Sequence, residues 1–132
     1  MRLVHEPGYG EGEVDLSASA AELTSLADAV ARGEGLLSST FSPGGNGDAL
    51  GGVEVRGTSG PGVLIRRDAE RHILVISGDV AGRAVLAENL REMATAEDGG
   101  HLHVEYFPDH FYLAEGSLPM VVNSPHGGMP TR

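Results

Sequence analysis

Two stretches of the chain carry apolar residues at the spacing of an amphipathic helix. The first begins at Ser19 and Glu22, which have the spacing of a capping box, and it is followed by Gly33 and Gly35. Its apolar stripe consists of Leu23, Leu26, Ala27 and Val30. The glycines provide a C-terminal stop. The pattern therefore predicts a helix over residues 20–32.

The second helical pattern follows the tripeptide "SGD", in which Asp79 is well suited to an N-cap. Its apolar positions are Val85, Leu86, Leu90 and Met93. The sequence "EDGG" marks its end. This pattern predicts a helix over residues 80–95.

Other segments alternate between apolar and polar residues or are continuously apolar, as strands do. They are "RLVHE", "EVDLS", "VEVRG", "GVLIRR", "RHILVIS", "HLHVEY" and "PMVVN". The three middle segments are separated by "TSGPG" and "DAE", a spacing that suits antiparallel hairpins. The apolar run from Ile73 to Ile76 is typical of a central strand.

The order of these elements predicts an α+β fold, with two helices packed on a mostly antiparallel sheet. We expect a single domain over residues 1–123, interrupted by a flexible loop at residues 42–52, where nearly every residue is a turn former. Residues 124–132 form a polar segment that is expected to be disordered.

The charge balance narrows the class of partner. Nineteen acidic residues oppose nine basic ones, which gives a net charge of −10. Nucleic-acid and anionic-membrane binding need basic patches, so both are disfavoured. The N-terminal sequence lacks the apolar core of a secretory signal, and no apolar run reaches the roughly 18 residues of a membrane span. We therefore expect a cytoplasmic protein whose negative electrostatic field attracts basic partners.

The segment "HLHVEYFPDH" is the main candidate for a functional site. In a strand, His101, His103 and Glu105 share one face, since side chains two positions apart point the same way. Two imidazoles and a carboxylate can bind zinc or iron, and His110 could be a fourth ligand. Same-face Cβ atoms are about 7 Å apart along a strand, however, so ligands on one strand converge poorly. Alternation alone also explains the pattern, as one face of a half-exposed strand.

The aromatic residues are concentrated in the same region, where "YFPDHFY" holds four of the six Phe and Tyr residues. Tyrosine is enriched in the buried centres of protein interfaces, and either Tyr106 or Tyr112 could be exposed beside the acids. No nucleophile elbow, phosphate loop or other catalytic motif accompanies the segment. An acidic, aromatic surface of this kind favours docking over catalysis.

The segment "HLHVEYFPDHFYLAEGSLPMVV" resembles the C-terminal signature of a small immunity-protein family of bacterial polymorphic toxin systems, the one numbered thirty-two. The section "GPGVLIRRDAERHILVISGDVAGRAVLAENL" is similar to the central part of that family, so the likeness covers roughly residues 50 to 123. The resemblance implies a cytoplasmic protein that binds and neutralises a toxin domain encoded by a neighbouring gene. It implies neither enzymatic activity nor a cofactor.

Two hypotheses follow. The first is a non-catalytic immunity protein, and its expected partner-binding residues are His101, His103, Glu105, Tyr106, Asp109, His110 and Tyr112. The second is a small metal-binding protein or metal-dependent enzyme, and its expected ligands are His101, His103, Glu105 and His110. Exposed edge strands would also allow a homodimer.

Overall fold

A computed structural model describes residues 1–6, 12–39, 48–95 and 101–123 of the protein. Within these residues the chain forms two helices and a set of short strands, so the predicted α+β class is confirmed. The elements in chain order are β1 (Arg2–Glu6), β2 (Glu13–Ser17), α1 (Ala20–Arg32), β3 (Glu34–Ser38), β4 (Asp48–Ala49), β5 (Gly52–Gly57), β6 (Val63–Asp68), β7 (Ile73–Gly78), α2 (Val80–Thr95), β8 (His101–Val104) and β9 (Met120–Asn123). Neither described helix is long and apolar enough to cross a membrane.

The strands form two sheets, whereas the sequence predicted one. The first sheet has the order β4-β1-β2-β9-β8 and the second has the order β3-β5-β7-β6. Only the β2–β9 and β5–β7 pairs are parallel, so the prediction of mostly antiparallel pairing is confirmed for the described residues. The chain crosses between the sheets at Leu50 and Gly51, whose N–H groups donate to Leu3 O (3.0 Å) and His72 O (2.6 Å). Strand patterns do not reveal such a crossover, because it depends on contacts between distant segments.

The second sheet corrects one predicted hairpin and confirms the other. β6 and β7 form an antiparallel hairpin, as the short "DAE" connection predicted. β5 does not pair with β6; instead it lies parallel to β7 on the opposite side. The continuously apolar β7 is therefore a central strand, as predicted, and Leu74, Val75 and Ile76 are buried.

Helix α1 has the predicted limits because its caps are encoded locally. The Ser19 hydroxyl accepts from Glu22 N, and the Glu22 carboxylate accepts from Ser19 N, which completes the capping box. Gly33 ends the helix in the left-handed conformation, with φ at 84°. The sequence did not predict β3, which follows at once and is stabilised by pairing with β5. Gly35, expected only to help stop the helix, lies within this strand.

Helix α2 also has its predicted limits, and Asp79 is its cap. The Asp79 carboxylate accepts from Gly82 N (2.8 Å) in the first turn of the helix and from Gly62 N (3.1 Å) in the β5–β6 connection. One side chain thus fixes the start of α2 and the loop before β6. These two backbone N–H groups hold the pKa of Asp79 below its ordinary value.

Arg83 is buried in α2 without a carboxylate partner among the described residues; its guanidinium binds backbone carbonyl groups instead. Its Nη1 donates to Val30 O and Ala31 O at 3.0 Å each, and its Nε donates to Gly78 O at 2.9 Å. Val30 and Ala31 lie in the last turn of α1, where carbonyl groups lack helical partners and the helix dipole favours a cation. A Cβ atom at Gly33 would lie 2.7 Å from Arg83 Nη1, so only glycine leaves room for this contact.

The chain after β8 joins the two sheets. Val63 N in β6 donates to Tyr112 O (2.7 Å), Ala114 N donates to Val63 O (2.7 Å), and Leu118 N donates to Ile65 O (2.7 Å). Residues 112–118 therefore cover the free edge of β6 before β9 enters the first sheet between β2 and β8. One buried cluster contains apolar residues of both sheets, both helices and this connecting segment.

The predicted loop at residues 42–52 lies partly outside the described residues. Its later part is ordered: Asp48–Ala49 pair with β1, and Gly52 begins β5. The segment 124–132, predicted to be disordered, lies outside the described residues.

Replacing Arg83 with methionine should destabilise the protein, because the buried carbonyl groups that Arg83 binds would lose their donors. We expect the free energy of unfolding in urea to fall by at least about 1–3 kcal/mol, the effect of leaving one buried polar group unsatisfied. Arg91→Met is the matched control, since Arg91 lies in the same helix and forms an exposed ion pair with Asp28 on α1 (3.0 Å). Its loss should change stability by less than about 1 kcal/mol. Equal effects of the two substitutions would contradict the assigned role of Arg83.

Asp79→Asn should lower the melting temperature at neutral pH and have a smaller effect in acid. The pKa of Asp79 is lowered in the folded state from its ordinary value of 3.8, so its contribution is fully present above that value. The contribution is lost as the pH falls through the lowered folded-state pKa. The difference in melting temperature between wild type and variant should therefore be constant near pH 7 and shrink below about pH 4. A difference that does not change with pH would show that the carboxylate charge is unimportant for the cap.

Candidate functional site

The predicted alternation of β8 is confirmed. His101 and His103 are exposed on the outer face of the first sheet, and Glu105 is exposed just beyond the end of the strand. On the other face Val104 is buried in the core, and Leu102 and Tyr106 pack partly against it. The side chains predicted to form a polar face are thus available to solvent.

The outer face of the first sheet is held in place by a hydrogen-bond network around Asn123. His101 Nδ1 lies 2.7 Å from Asn123 Oδ1. The Asn123 amide Nδ2 donates to Asp15 Oδ1 (2.7 Å) and Ser17 Oγ (3.0 Å) on β2. Because the amide nitrogen donates to these acceptors, Asn123 Oδ1 accepts a hydrogen bond from the N–H group at His101 Nδ1. The His101 ring is therefore oriented by Asn123 on the neighbouring strand β9, and Asn123 is in turn held by side chains of β2.

The four predicted metal ligands do not form a coordination site. His101 and His103 stand edge to face with ring centroids 6.3 Å apart, and the Nδ1 atom of His101 is engaged by Asn123. His110 uses its own Nδ1 atom as an acceptor for backbone N–H groups of Tyr112 (3.3 Å) and Leu113 (3.1 Å). In the part of the chain that the structure describes, no three His, Asp or Glu side chains gather in a manner that could hold a metal ion. The metal hypothesis thus has no geometric support among these residues.

Residues 106–112, here called the aromatic turn, fold around the ring of His110. The ring centroids of Phe107 and Tyr112 lie 4.6 and 4.8 Å from that of His110, and those of Phe111 and Tyr106 lie 5.6 and 6.4 Å away. His110 N also donates to Phe107 O at 2.9 Å and closes the turn. Because both backbone donors point at Nδ1, the proton of the neutral ring resides on Nε2. His110 therefore organises the turn from its centre.

The exposed aromatic residues differ from those that the sequence indicated. Tyr112 is only 7% exposed and belongs to the core, which corrects its placement on an exposed contact face. Burial raises the pKa of the Tyr112 phenol, partly offset by a hydrogen bond with Asn89 on α2. Phe111 and Phe107 are instead 79% and 57% exposed. They flank the turn tip formed by Pro108 and Asp109, and turn tips are usually exposed to solvent. The position of both phenylalanines beside this tip could have identified them as exposed from the sequence.

The surface around the two exposed phenyl groups is acidic. Glu105, Asp109 and Glu115 are all exposed in the segment that contains the turn. Asp109 adopts a positive φ of 71°, a conformation that Asp tolerates better than most residues. The tip thus presents two apolar rings beside carboxylates, and its backbone is anchored to β6 through Tyr112 O.

Large exposed apolar side chains are few among the described residues. They are Leu36 at 71%, Val80 at 72%, Phe107 and Phe111. Single exposed apolar residues are common on protein surfaces, but two aromatic rings in one short turn form a patch that favours an interface. The aromatic turn and the outer face of β8 together form the best candidate for a docking surface.

Comparison with known proteins locates this surface within a family signature. Residues 73–125 match the family model described as Immunity protein 32, so the match runs from the start of β7 to just beyond β9 and includes the aromatic turn. Neither the curated proteins nor the solved structures contain a match to the chain. Residues 73–125 are thus similar to the Immunity protein 32 family, which confirms the predicted resemblance for this part of the chain.

Proposed function

We propose that the protein binds a cognate bacterial toxin domain in the cytoplasm and neutralises it by occlusion, without catalysis or a cofactor. The observation that carries the proposal is the exposure of Phe107 and Phe111 in the aromatic turn, inside the segment that matches the family. Aromatic anchors of this kind supply much of the binding energy in tight protein complexes. The contact face comprises the aromatic turn without the buried Tyr112, together with His101, His103 and Glu105.

The structure of the turn supports a role in tight binding. His110 Nδ1 accepts from the backbone N–H groups of Tyr112 and Leu113, at the end of the turn, and Tyr112 O accepts from Val63 N in β6. These contacts fix the backbone that carries both phenyl rings before any partner arrives. A preorganised loop loses less conformational entropy on binding, so more of the energy from burying the rings remains as affinity.

Charge supports a basic toxin as the partner. The chain has a net charge of −10, and Glu105, Asp109 and Glu115 are exposed in the segment that carries the phenyl rings. A field of this sign accelerates encounter with a basic surface, such as the substrate-binding surface of a nuclease. The acids would then steer the toxin, and the rings would anchor it.

The direct test is protection of cells. We expect co-expression of this chain to restore the growth of bacteria that express the toxin domain encoded by a neighbouring gene. The purified proteins should form a complex that can be measured by titration calorimetry. Continued growth arrest together with no detectable complex would overturn the proposed function.

Phe111→Ser should weaken the complex strongly without destabilising the protein, because the ring is largely exposed in the free state. An anchor residue is worth about 2 kcal/mol or more, which corresponds to an affinity loss of about 30-fold. Val80→Ser is the matched control, since Val80 has a similar exposure of 72% but lies at the start of α2. Its affinity and melting temperature should stay near those of wild type. Equal losses for both variants would place the interface elsewhere.

Glu105→Arg should weaken the complex through local repulsion from a basic surface. We expect an affinity loss of about tenfold or more, equivalent to about 1.4 kcal/mol. Glu70→Arg is the control, since Glu70 is exposed in the β6–β7 turn of the second sheet and the substitution changes the net charge equally. Both variants should slow association through the weaker overall field. Only Glu105→Arg should also accelerate dissociation, and identical dissociation rates would exclude Glu105 from the contact.

A further inference from the structure

β3 is an edge strand whose free side is not paired with any described residue. It lies at the end of the order β3-β5-β7-β6, and its hydrogen-bonded register with β5 runs from Glu34 to Ser38. The opposite edge of the same sheet, on β6, is covered by residues 112–118. An uncovered edge strand presents a row of backbone donors and acceptors that can pair with another chain.

The side chains of β3 do little to prevent such pairing. The strand contains neither proline nor a basic residue, and its central residue, Leu36, is 71% exposed on the outer face of the second sheet. Charged side chains usually protect an edge, but here the only charged residue is Glu34 at the start of the strand. An open groove of about 680 Å³ lies over the paired strands β3 and β5, with Gly35 and Arg56 among its lining residues. Among the described residues, none pairs with the free edge of β3, and the side chains of the strand do not protect it.

The surface next to Leu36 has its charges paired. Glu54, which is opposite Leu36 in the register, accepts from Arg56 Nε (3.2 Å) and from Arg71 Nη2 (2.7 Å). These two guanidinium groups hold the pKa of Glu54 below its ordinary value, Arg56 having the larger effect. Arg71 also pairs with Asp68 (2.9 Å), so two carboxylates balance two guanidinium groups. A partner that covers Leu36 therefore meets a locally neutral surface, unlike the acidic segment that contains the aromatic turn.

We propose that β3 pairs antiparallel with β3 of a second copy of this chain, so that the two four-stranded sheets form one continuous sheet. A two-fold axis at Leu36 places the two Leu36 side chains opposite each other, where both leave water. It also places each Glu34 opposite Ser38 of the second copy, whose hydroxyl can donate to the carboxylate. No like charges face each other in this register, and the strand is therefore complementary to itself. This interface goes beyond the proposed toxin binding and does not depend on it.

The dimer is weak, because five residues of edge pairing bury less than the roughly 1,200 Å² of a standard interface. The net charge of −10 on each copy further opposes association at low salt. We expect a dissociation constant of about 10 µM to 1 mM, with the dimer becoming tighter as salt screens the repulsion. Binding of a basic toxin should respond to salt in the opposite direction, which distinguishes the two interfaces.

Sedimentation velocity of the full chain between about 5 and 500 µM tests the proposal. The dimer fraction of the wild type should rise measurably over this range. Leu36→Arg and Leu36→Glu should each weaken the dimer at least about tenfold, since like charges would face each other across the axis. Val80→Arg, a similarly exposed position on α2, should leave the equilibrium near that of wild type.

Mixing the two Leu36 variants provides the sharpest test of the register. An equimolar mixture of Leu36→Arg and Leu36→Glu chains should regain the dimer, because position 36 faces itself only in the two-fold arrangement. Circular dichroism and melting temperature should show that both variants are folded, as the exposure of Leu36 implies. A wild-type chain that stays monomeric over the whole range would overturn the proposal. An equally stable dimer in both Leu36 variants, or a mixture of the variants that does not dimerise, would also overturn it. If the chain is monomeric and Leu36→Arg weakens toxin binding, the edge belongs to the toxin interface instead.

Discussion

The fold depends on one buried guanidinium group. Arg83 in α2 donates to carbonyl groups in the last turn of α1 and at the end of β7, so a single side chain fixes three elements relative to one another. The carbonyl dipoles at the end of α1 replace the counter-ion that a buried cation would otherwise require. Asp79, one turn earlier, fixes the start of the same helix and the loop before β6. The orientation of α2 is therefore set by polar contacts, while the surrounding apolar residues fill the space.

The candidate docking surface is connected through β6 to the elements that Arg83 and Asp79 hold together. The aromatic turn leaves β8 in the first sheet, reaches β6 in the second at Tyr112, and returns to the first sheet as β9. Tyr112 packs in the core below the turn, while Phe107 and Phe111 project from it. The same short segment thus holds the two sheets together and presents the exposed rings. A partner that binds the rings contacts the junction between the sheets.

Local sequence signals predicted local structure well. The helices were found because Ser19, Asp79 and Gly33 mark their ends within a few residues, and the alternation of β8 separated its exposed histidines from Val104. Pairing between distant strands could not be deduced in this way. β3 was missed because Gly35 was interpreted as part of the helix stop and not as a strand residue. The predicted β5–β6 hairpin was wrong because β5 pairs with β7 instead. Which of Tyr106 and Tyr112 is buried could not be deduced for the same reason, since the burial of Tyr112 depends on the pairing of the turn with β6.

The parallel pairing of β2 with β9 has a consequence for synthesis of the chain. Asn123 donates to Asp15 Oδ1 and to Ser17 Oγ across sequence separations of 108 and 106 residues. A ribosome must therefore release almost the whole described chain before the first sheet can be completed. The aromatic turn lies between β8 and β9 in the chain, so the segment that contains it is fixed at both ends only when β9 has paired. Nascent or truncated chains that lack β9 therefore cannot complete the first sheet, and the candidate docking surface that depends on this sheet stays unfinished.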